Sequence, residues 1–168
     1  EICNLVEGKL PKVLQWMEPE MWNRSTVALS ILSISGRIHP RFSENLKNDP
    51  SFVLQALPLV RTELIADLAS WIGASLWSNT KIALAFIKLH FEFLHQTAYV
   101  LRANKDFVEQ IYAMAQDEDG TISKAKSKII LEWYTETKMG RRREIVSLLE
   151  ADNKMNSNAI ENILSLID

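Results

Sequence analysis

Apolar residues recur along most of the chain at intervals of three and four positions, the spacing of amphipathic helices, and no segment shows the strict alternation of a strand. This pattern predicts an all-α protein of about nine helices joined by short turns. The predicted ranges include 19–38, 40–47, 52–60, 62–77, 81–101, 105–116 and 121–137. Range 81–101 is the longest and most apolar, so this helix is expected to be central.

One stretch of the chain occurs twice, at an interval of 55 residues. Residues 25–60 are echoed from Thr80 onward without a gap, and the matching pairs are Ala28-Leu29 with Ala83-Leu84, Leu46 with Leu101, Phe52-Val53 with Phe107-Val108, and Gln55 with Gln110. Two copies of a helical pattern at a fixed interval are typical of helical repeat proteins. Leu29 and Leu84, like Phe52 and Phe107, are therefore predicted to be buried as equivalent pairs.

This pattern resembles armadillo and HEAT repeats. The resemblance is carried by three helices centred on AL or AK, at 27–35, 82–90 and 125–133, and by the short helix, turn and apolar helix that follow the first two. It implies an α-solenoid over about 20–168, in which stacked units leave a long concave surface. The interval of 55 departs from the family period of about 40, whereas the next interval, from Ala83 to Ala125, is 42. An extra helix at 62–77 accounts for the longer interval. Ser30 and Ile34 stand where the peptide-binding Trp and Asn of importins and catenins would fall.

A single helical-repeat domain is predicted over 1–168, with an N-terminal capping helix in 1–18 and repeats in 19–168. The chain has 168 residues, 47% of them hydrophobic and 24% charged, as in a globular protein. It lacks an initiator Met and a signal peptide, so we expect a piece of a larger intracellular protein, nuclear or cytoplasmic. The single cysteine, Cys3, excludes an internal disulfide framework. No apolar run has the length of a membrane span, so no membrane association is expected.

No constellation for catalysis, metal or cofactor binding is predicted. His90 and His95 lie five positions apart, whereas a helical metal pair is spaced by four. Residues 117–122 resemble half of an EF-hand calcium loop, but its first and twelfth positions are Ala115 and Lys126. The chain is therefore expected not to be an enzyme and to bind no cofactor or metal.

A cluster of positive charge is the strongest local signal. From Thr121 to Arg143 there are seven basic residues and only two acidic ones, Glu132 and Glu136; the basic residues are Lys124, Lys126, Lys128, Lys138, Arg141, Arg142 and Arg143. Lys124 and Lys128 share one helix face, which Glu132 continues. The three arginines open a predicted helix, where the helix dipole disfavours cations. We refer to Lys124, Lys128, Arg141, Arg142 and Arg143 as the basic cluster. These five residues and Trp133 are predicted to contact a partner.

Two functions fit the basic cluster, and a third interpretation is a solvated helix face without function. The first function is a protein-interaction scaffold within a larger complex, which binds a peptide or helix of a partner protein with an acidic segment. The alternative is a helical repeat that binds nucleic acid, with Trp133 or Tyr134 stacking on bases while the other lies in the core. Five tryptophans are present, and any exposed one would be a candidate interface anchor.

Overall fold

The structure, a computed structural model, describes Lys12, residues 14–118 and residues 120–135. The predicted all-α class is confirmed, because these residues form α-helices and 3-10 helices and no strand. The α-helices are α1 (Ser25–Ser35), α2 (Glu44–Lys47), α3 (Pro50–Ala56), α4 (Ile65–Trp71), α5 (Thr80–Leu89), α6 (Lys105–Ala115) and α7 (Lys124–Thr135). The 3-10 helices are Pro19–Asn23, Leu57–Leu59, Thr62–Leu64, Ala74–Ser78, Phe91–Gln96 and Tyr99–Ala103. The predicted helices at 141–150 and 156–167 lie outside the described residues.

Three helices begin at side-chain caps that are readable in the sequence. The Asp49 carboxylate accepts the N–H groups of Ser51 and Phe52 at the start of α3. Asn79 accepts two backbone N–H groups at the start of α5, and Asn104 accepts one at the start of α6. These bonds satisfy N–H groups that have no partner within their own helix, which explains why α3 and α6 begin close to the predicted positions.

The helix predicted over 19–38 is wrong, since the chain forms two separate elements there. Arg24 is extended, with φ −88° and ψ 118°, and it separates the 3-10 helix Pro19–Asn23 from α1. At the other end Gly36 adopts the left-handed conformation with φ 64° and stops α1 at Ser35. A residue with a Cβ atom rarely adopts this conformation, so glycine sets the end of the helix.

The long central helix predicted over 81–101 is also wrong. Helix α5 ends at Leu89 because His90 is extended, with φ −143° and ψ 115°. A straight helix over that range would be about 30 Å long, and its second half would leave the core. The two 3-10 helices that follow α5 instead place Leu94 and Leu101 in one core with Ile87 and Phe107. The helix predicted over 62–77 likewise stops at Trp71, because Ile72 is extended.

The chain divides into two compact units between Leu76 and Trp77. In the first unit, rings of Phe42, Phe52 and Trp71 pack with centroids 6.2–6.3 Å apart. In the second, the core includes Phe107, Ile111, Ile130 and Trp133. Each unit therefore has its own apolar centre.

Elements recur at the sequence interval of 55. The 3-10 helix Pro19–Asn23 corresponds to Ala74–Ser78, α1 corresponds to α5, and α3 corresponds to α6. Phe52 and Phe107 are both fully buried, as predicted. The expectation for Leu29 and Leu84 is wrong, since both are half-buried while Ala28 and Ala83 before them are buried. Successive helical residues are rotated by about 100°, so α1 and α5 turn their alanines, not these leucines, inward.

One ring pair and one cation of α7 resemble those of α4, whereas the third AL- or AK-centred match compares α7 with α1 and α5. The Phe107 and Trp133 rings lie 6.1 Å apart at 61°, and those of Phe52 and Trp71 lie 6.2 Å apart at 60°. A cation covers each indole, Arg102 over Trp133 at 5.5 Å and Lys47 over Trp71 at 5.9 Å. The two ring pairs and their cations are thus similar in geometry, although Trp133 is fully buried and Trp71 is half-buried.

Candidate interaction surface

Helix α7 carries the described part of the basic cluster, and its buried face fixes which residues point outward. The Ser123 carbonyl accepts the N–H of Ser127 at 2.9 Å and starts the helix. Ile130 and Trp133 are buried in the core of the second unit, whereas Lys124 and Lys128 are exposed. The two lysines are one turn apart, so they form one exposed face, as the sequence predicts.

Trp133 does not belong to this exposed face, which corrects its assignment as a partner-binding residue. Its side chain is 0% exposed, and its indole Nε1–H donates to the Thr97 hydroxyl oxygen at 2.8 Å. The Thr97 hydroxyl in turn donates to the Leu94 carbonyl at 2.7 Å. Of the aromatic pair Trp133 and Tyr134, Trp133 is therefore the core residue, and it can neither contact a partner nor stack on a base in this conformation.

The positive charge of Lys126 is paired within the chain and so adds little to the exposed positive charge of α7. Its ammonium lies 3.0 Å from the Ala115 carbonyl and 3.1 Å from the Asp117 carboxylate. It thereby joins α7 to the end of α6 and to the turn from Asp117 to Gly120, which we call the acidic turn. In this turn the Gly120 N–H donates to the Asp117 carbonyl at 2.9 Å, and Gly120 has φ 77°. The ammonium of Lys126 sits beside the carboxylate that a calcium loop would use. Within the described residues, no three His, Cys, Asp or Glu side chains gather as a metal-binding group.

Lys128 and His95 both lie beside the carboxylate of Glu132, which is on the α7 face that carries Lys128. The Lys128 ammonium lies 3.7 Å from Glu132 Oε1, and His95 Nε2 lies 3.8 Å from Glu132 Oε2. The Lys128 side chain remains 74% exposed. Exposed pairs of this kind contribute about 0–1 kcal/mol, so they leave Lys128 available to a stronger acidic ligand. Arg141, Arg142 and Arg143 lie outside the described residues.

A stacked group of aromatic and basic side chains, which sequence reasoning missed, lies on the loop after α1. The ring of His39 stacks on Trp22 with centroids 4.5 Å apart, and the Arg41 guanidinium lies 5.6 Å from the Trp22 ring centroid. His39 Nδ1 accepts the Arg41 backbone N–H at 3.2 Å. Burial, and to a lesser degree the charge of Arg41, lower the pKa of His39 below its ordinary value of 6.5. Basic residues at positions 37 and 41 are the only sequence signal for this loop.

The lowered pKa of His39 predicts a pH-dependent stability. Because the folded state disfavours the protonated ring, the contribution is complete above pH 6.5 and is lost as the pH falls through the folded-state pKa. We expect the free energy of unfolding, measured by urea denaturation at several pH values below 7, to fall less steeply for His39→Phe than for the wild type. Arg41→Gln should reduce the slope in part, because Arg41 is the smaller cause. Equal slopes for all three proteins would contradict this prediction.

Two further features bear on the choice of surface. Trp16 is 85% exposed and is thus the exposed tryptophan that could serve as an interface anchor, whereas Trp22, Trp77 and Trp133 are buried and Trp71 is half-buried. Across the described part of the chain, the helices are too short or too polar to cross a membrane.

Comparison of the chain with protein-family models, with curated proteins and with solved structures gives no match. The resemblance to armadillo and HEAT repeats therefore stays a prediction from the sequence.

Proposed function

We propose that this chain is a protein-interaction module of the armadillo or HEAT kind, which binds an acidic segment of a partner protein through the exposed lysines of α7 and the arginines that follow. The proposal is supported mainly by the division of α7 into buried, paired and exposed side chains. Ile130 and Trp133 hold the helix to its unit, Lys126 ties it to the acidic turn, and Lys124 and Lys128 are left exposed side by side.

The recurrence of helical elements supports a scaffold role. A repeat unit buries its apolar side against its neighbours and keeps a second side for ligands, so its surface charge varies without loss of the fold. The intervals between elements and the matched ring pairs Phe52–Trp71 and Phe107–Trp133 support repeated units. An α-solenoid made of such units is part of this proposal.

Charge reversal tests the proposal. Partners are first captured with the wild-type chain, with and without nuclease, and identified by mass spectrometry. We then expect Arg141→Glu, Arg142→Glu and Arg143→Glu, made together, to weaken binding of the captured protein by more than about tenfold at low salt. A variant with Lys124→Glu and Lys128→Glu should weaken it as well. Both variants should keep the helical circular dichroism spectrum of the wild type.

The matched control reverses three exposed lysines of the same unit, Lys81, Lys88 and Lys105. It should bind the captured protein with wild-type affinity. If the arginine and control variants lose affinity equally, or if neither does, the basic cluster is only a solvated face. If capture disappears with nuclease and affinity falls steeply with salt, the chain binds nucleic acid instead, since phosphate contacts release counterions.

A further inference from the structure

Residues 37–41, which we call the loop tip, cover the ring of Trp22 in the first unit. The His39 ring stacks on this indole with centroids 4.5 Å apart and an angle of 22° between the ring planes. The Arg41 guanidinium lies 5.6 Å from the centroid of the same indole. Under these side chains Trp22 is only 5% exposed, so the loop tip shields its ring from solvent.

Side-chain packing, rather than backbone hydrogen bonding, holds the loop tip against the 3-10 helix that carries Trp22. The two ends of the loop tip are fixed, because the Gly36 carbonyl accepts the Arg61 N–H at 2.9 Å and the Phe42 side chain is buried. Among the described residues, the hydrogen bonds of the loop tip stay within it or go to the neighbouring Ser35 and Phe42. The loop tip can therefore lift from the indole without breaking a hydrogen bond to the helix beneath it.

The closed position of the loop tip favours a neutral His39 ring. Its Nδ1 accepts the Arg41 backbone N–H at 3.2 Å, and a protonated Nδ1 has no lone pair with which to accept this bond. A positive charge on the ring would also lie close to the Arg41 guanidinium, which already occupies the indole. In agreement with this geometry, burial and then the charge of Arg41 lower the pKa of His39.

The other charged groups around the ring do not offset this effect. The 3-10 helix under His39 carries Glu20, with Glu18 before it and Arg24 after it, and all three side chains are exposed. Within the described part of the chain, none of the three forms a hydrogen bond or an ion pair with His39. Arg37, on the loop tip itself, is exposed as well. A protonated His39 thus gains no carboxylate partner in the closed position.

The second unit covers the corresponding indole with a ring that cannot titrate. Trp77 corresponds to Trp22 at the interval of 55 and is also 5% exposed. The Phe93 ring stacks on Trp77 with centroids 6.1 Å apart and an angle of 28° between the planes. Phe93 lies one position before Leu94, which is the counterpart of His39. Because a phenyl ring meets the same packing need, packing alone does not explain the imidazole of His39.

We propose that the loop tip is a pH-sensitive flap, which neutral His39 holds closed over Trp22 and which opens on protonation while the first unit stays folded. Acidification then exposes an indole that is covered at neutral pH. The open flap binds the proton more tightly than the closed flap, so opening becomes more favourable as the pH falls from 6.5 toward the folded-state pKa of His39. The flap lies in the first unit, so the proposal does not rest on the basic cluster.

Nuclear magnetic resonance of the full chain tests the flap, with a neutral gadolinium chelate in solution that broadens the signals of exposed groups. The indole N–H signals of Trp22 and Trp77 are assigned in nitrogen-15 spectra with Trp22→Phe and Trp77→Phe. Broadening of the Trp22 signal by the chelate should rise by up to about tenfold for each pH unit between 6.5 and the folded-state pKa of His39. The Trp77 signal and the helical circular dichroism spectrum should stay unchanged.

Two histidine variants show whether His39 controls the flap. His39→Phe keeps a ring over the indole and should abolish the response of Trp22 to pH. His90→Phe is the matched control, since it removes an exposed histidine beside Phe93 and should leave the Trp22 response unchanged. The proposal is overturned if broadening of the Trp22 signal does not depend on pH, if His39→Phe responds like the wild type, or if His90→Phe loses the response. It is also overturned if both indole signals change together with loss of the helical spectrum, because acid then unfolds the chain as a whole.

Discussion

Replacing Phe107 with alanine is expected to lower the free energy of unfolding by about 3–5 kcal/mol, the usual loss when a core aromatic side chain is removed. Phe107 is 0% exposed and packs with Trp133, Val108 and Ile111 in the core of the second unit. Removal of its ring leaves a cavity that the surrounding helices cannot fill without moving. Urea denaturation followed by far-ultraviolet circular dichroism measures the change.

Tyr99→Ala provides the control for Phe107→Ala in the same unit. Tyr99 is 56% exposed, so its removal should change stability by less than about 1 kcal/mol. A loss below about 1 kcal/mol for Phe107→Ala would mean that Phe107 is not a core residue, and the correspondence between Phe52 and Phe107 would then fail.

The second large effect is expected at Trp133. Trp133→Ala should also cost about 3–5 kcal/mol, because it removes a buried ring together with its hydrogen bond to Thr97. Trp133→Phe should cost less, since it keeps most of the ring and loses mainly the indole N–H, and Thr97 still donates to the Leu94 carbonyl. The same denaturation measurement compares both variants with the wild type.

A double variant tests the contact between the two rings. Because Phe107 and Trp133 touch, the combined loss for Phe107→Ala with Trp133→Ala should be smaller than the sum of the two single losses. If the two single losses simply add, the two rings do not interact, in contradiction to the packing of their centroids at 6.1 Å. A small loss of stability for Trp133→Ala alone would instead mean that Trp133 is exposed and is again a candidate for partner binding.

Local chemistry was sufficient to predict the helical class and several helix starts. Apolar spacing excludes strands, and Asp49 and Asn104 act as caps whose partners lie two or three residues away. The interval of 55 also led to the burial of Phe52 and Phe107, since both stand at the same place in matching helices. These features depend on neighbours within one or two helical turns, which a sequence displays directly.

Contacts between distant residues decided the rest. His90 ends α5 and the 3-10 helices after it bury Leu94 and Leu101, although the helical spacing of apolar residues predicted one helix as far as residue 101. Trp133 is buried and donates to Thr97, 36 positions away, and Lys126 pairs with Asp117 in the turn between α6 and α7. The stack of His39 and Arg41 on Trp22 exists because the loop after α1 folds back onto that ring. Periodicity records only the average environment of a segment, so only the tertiary structure determined which charged and aromatic side chains remain exposed to a partner.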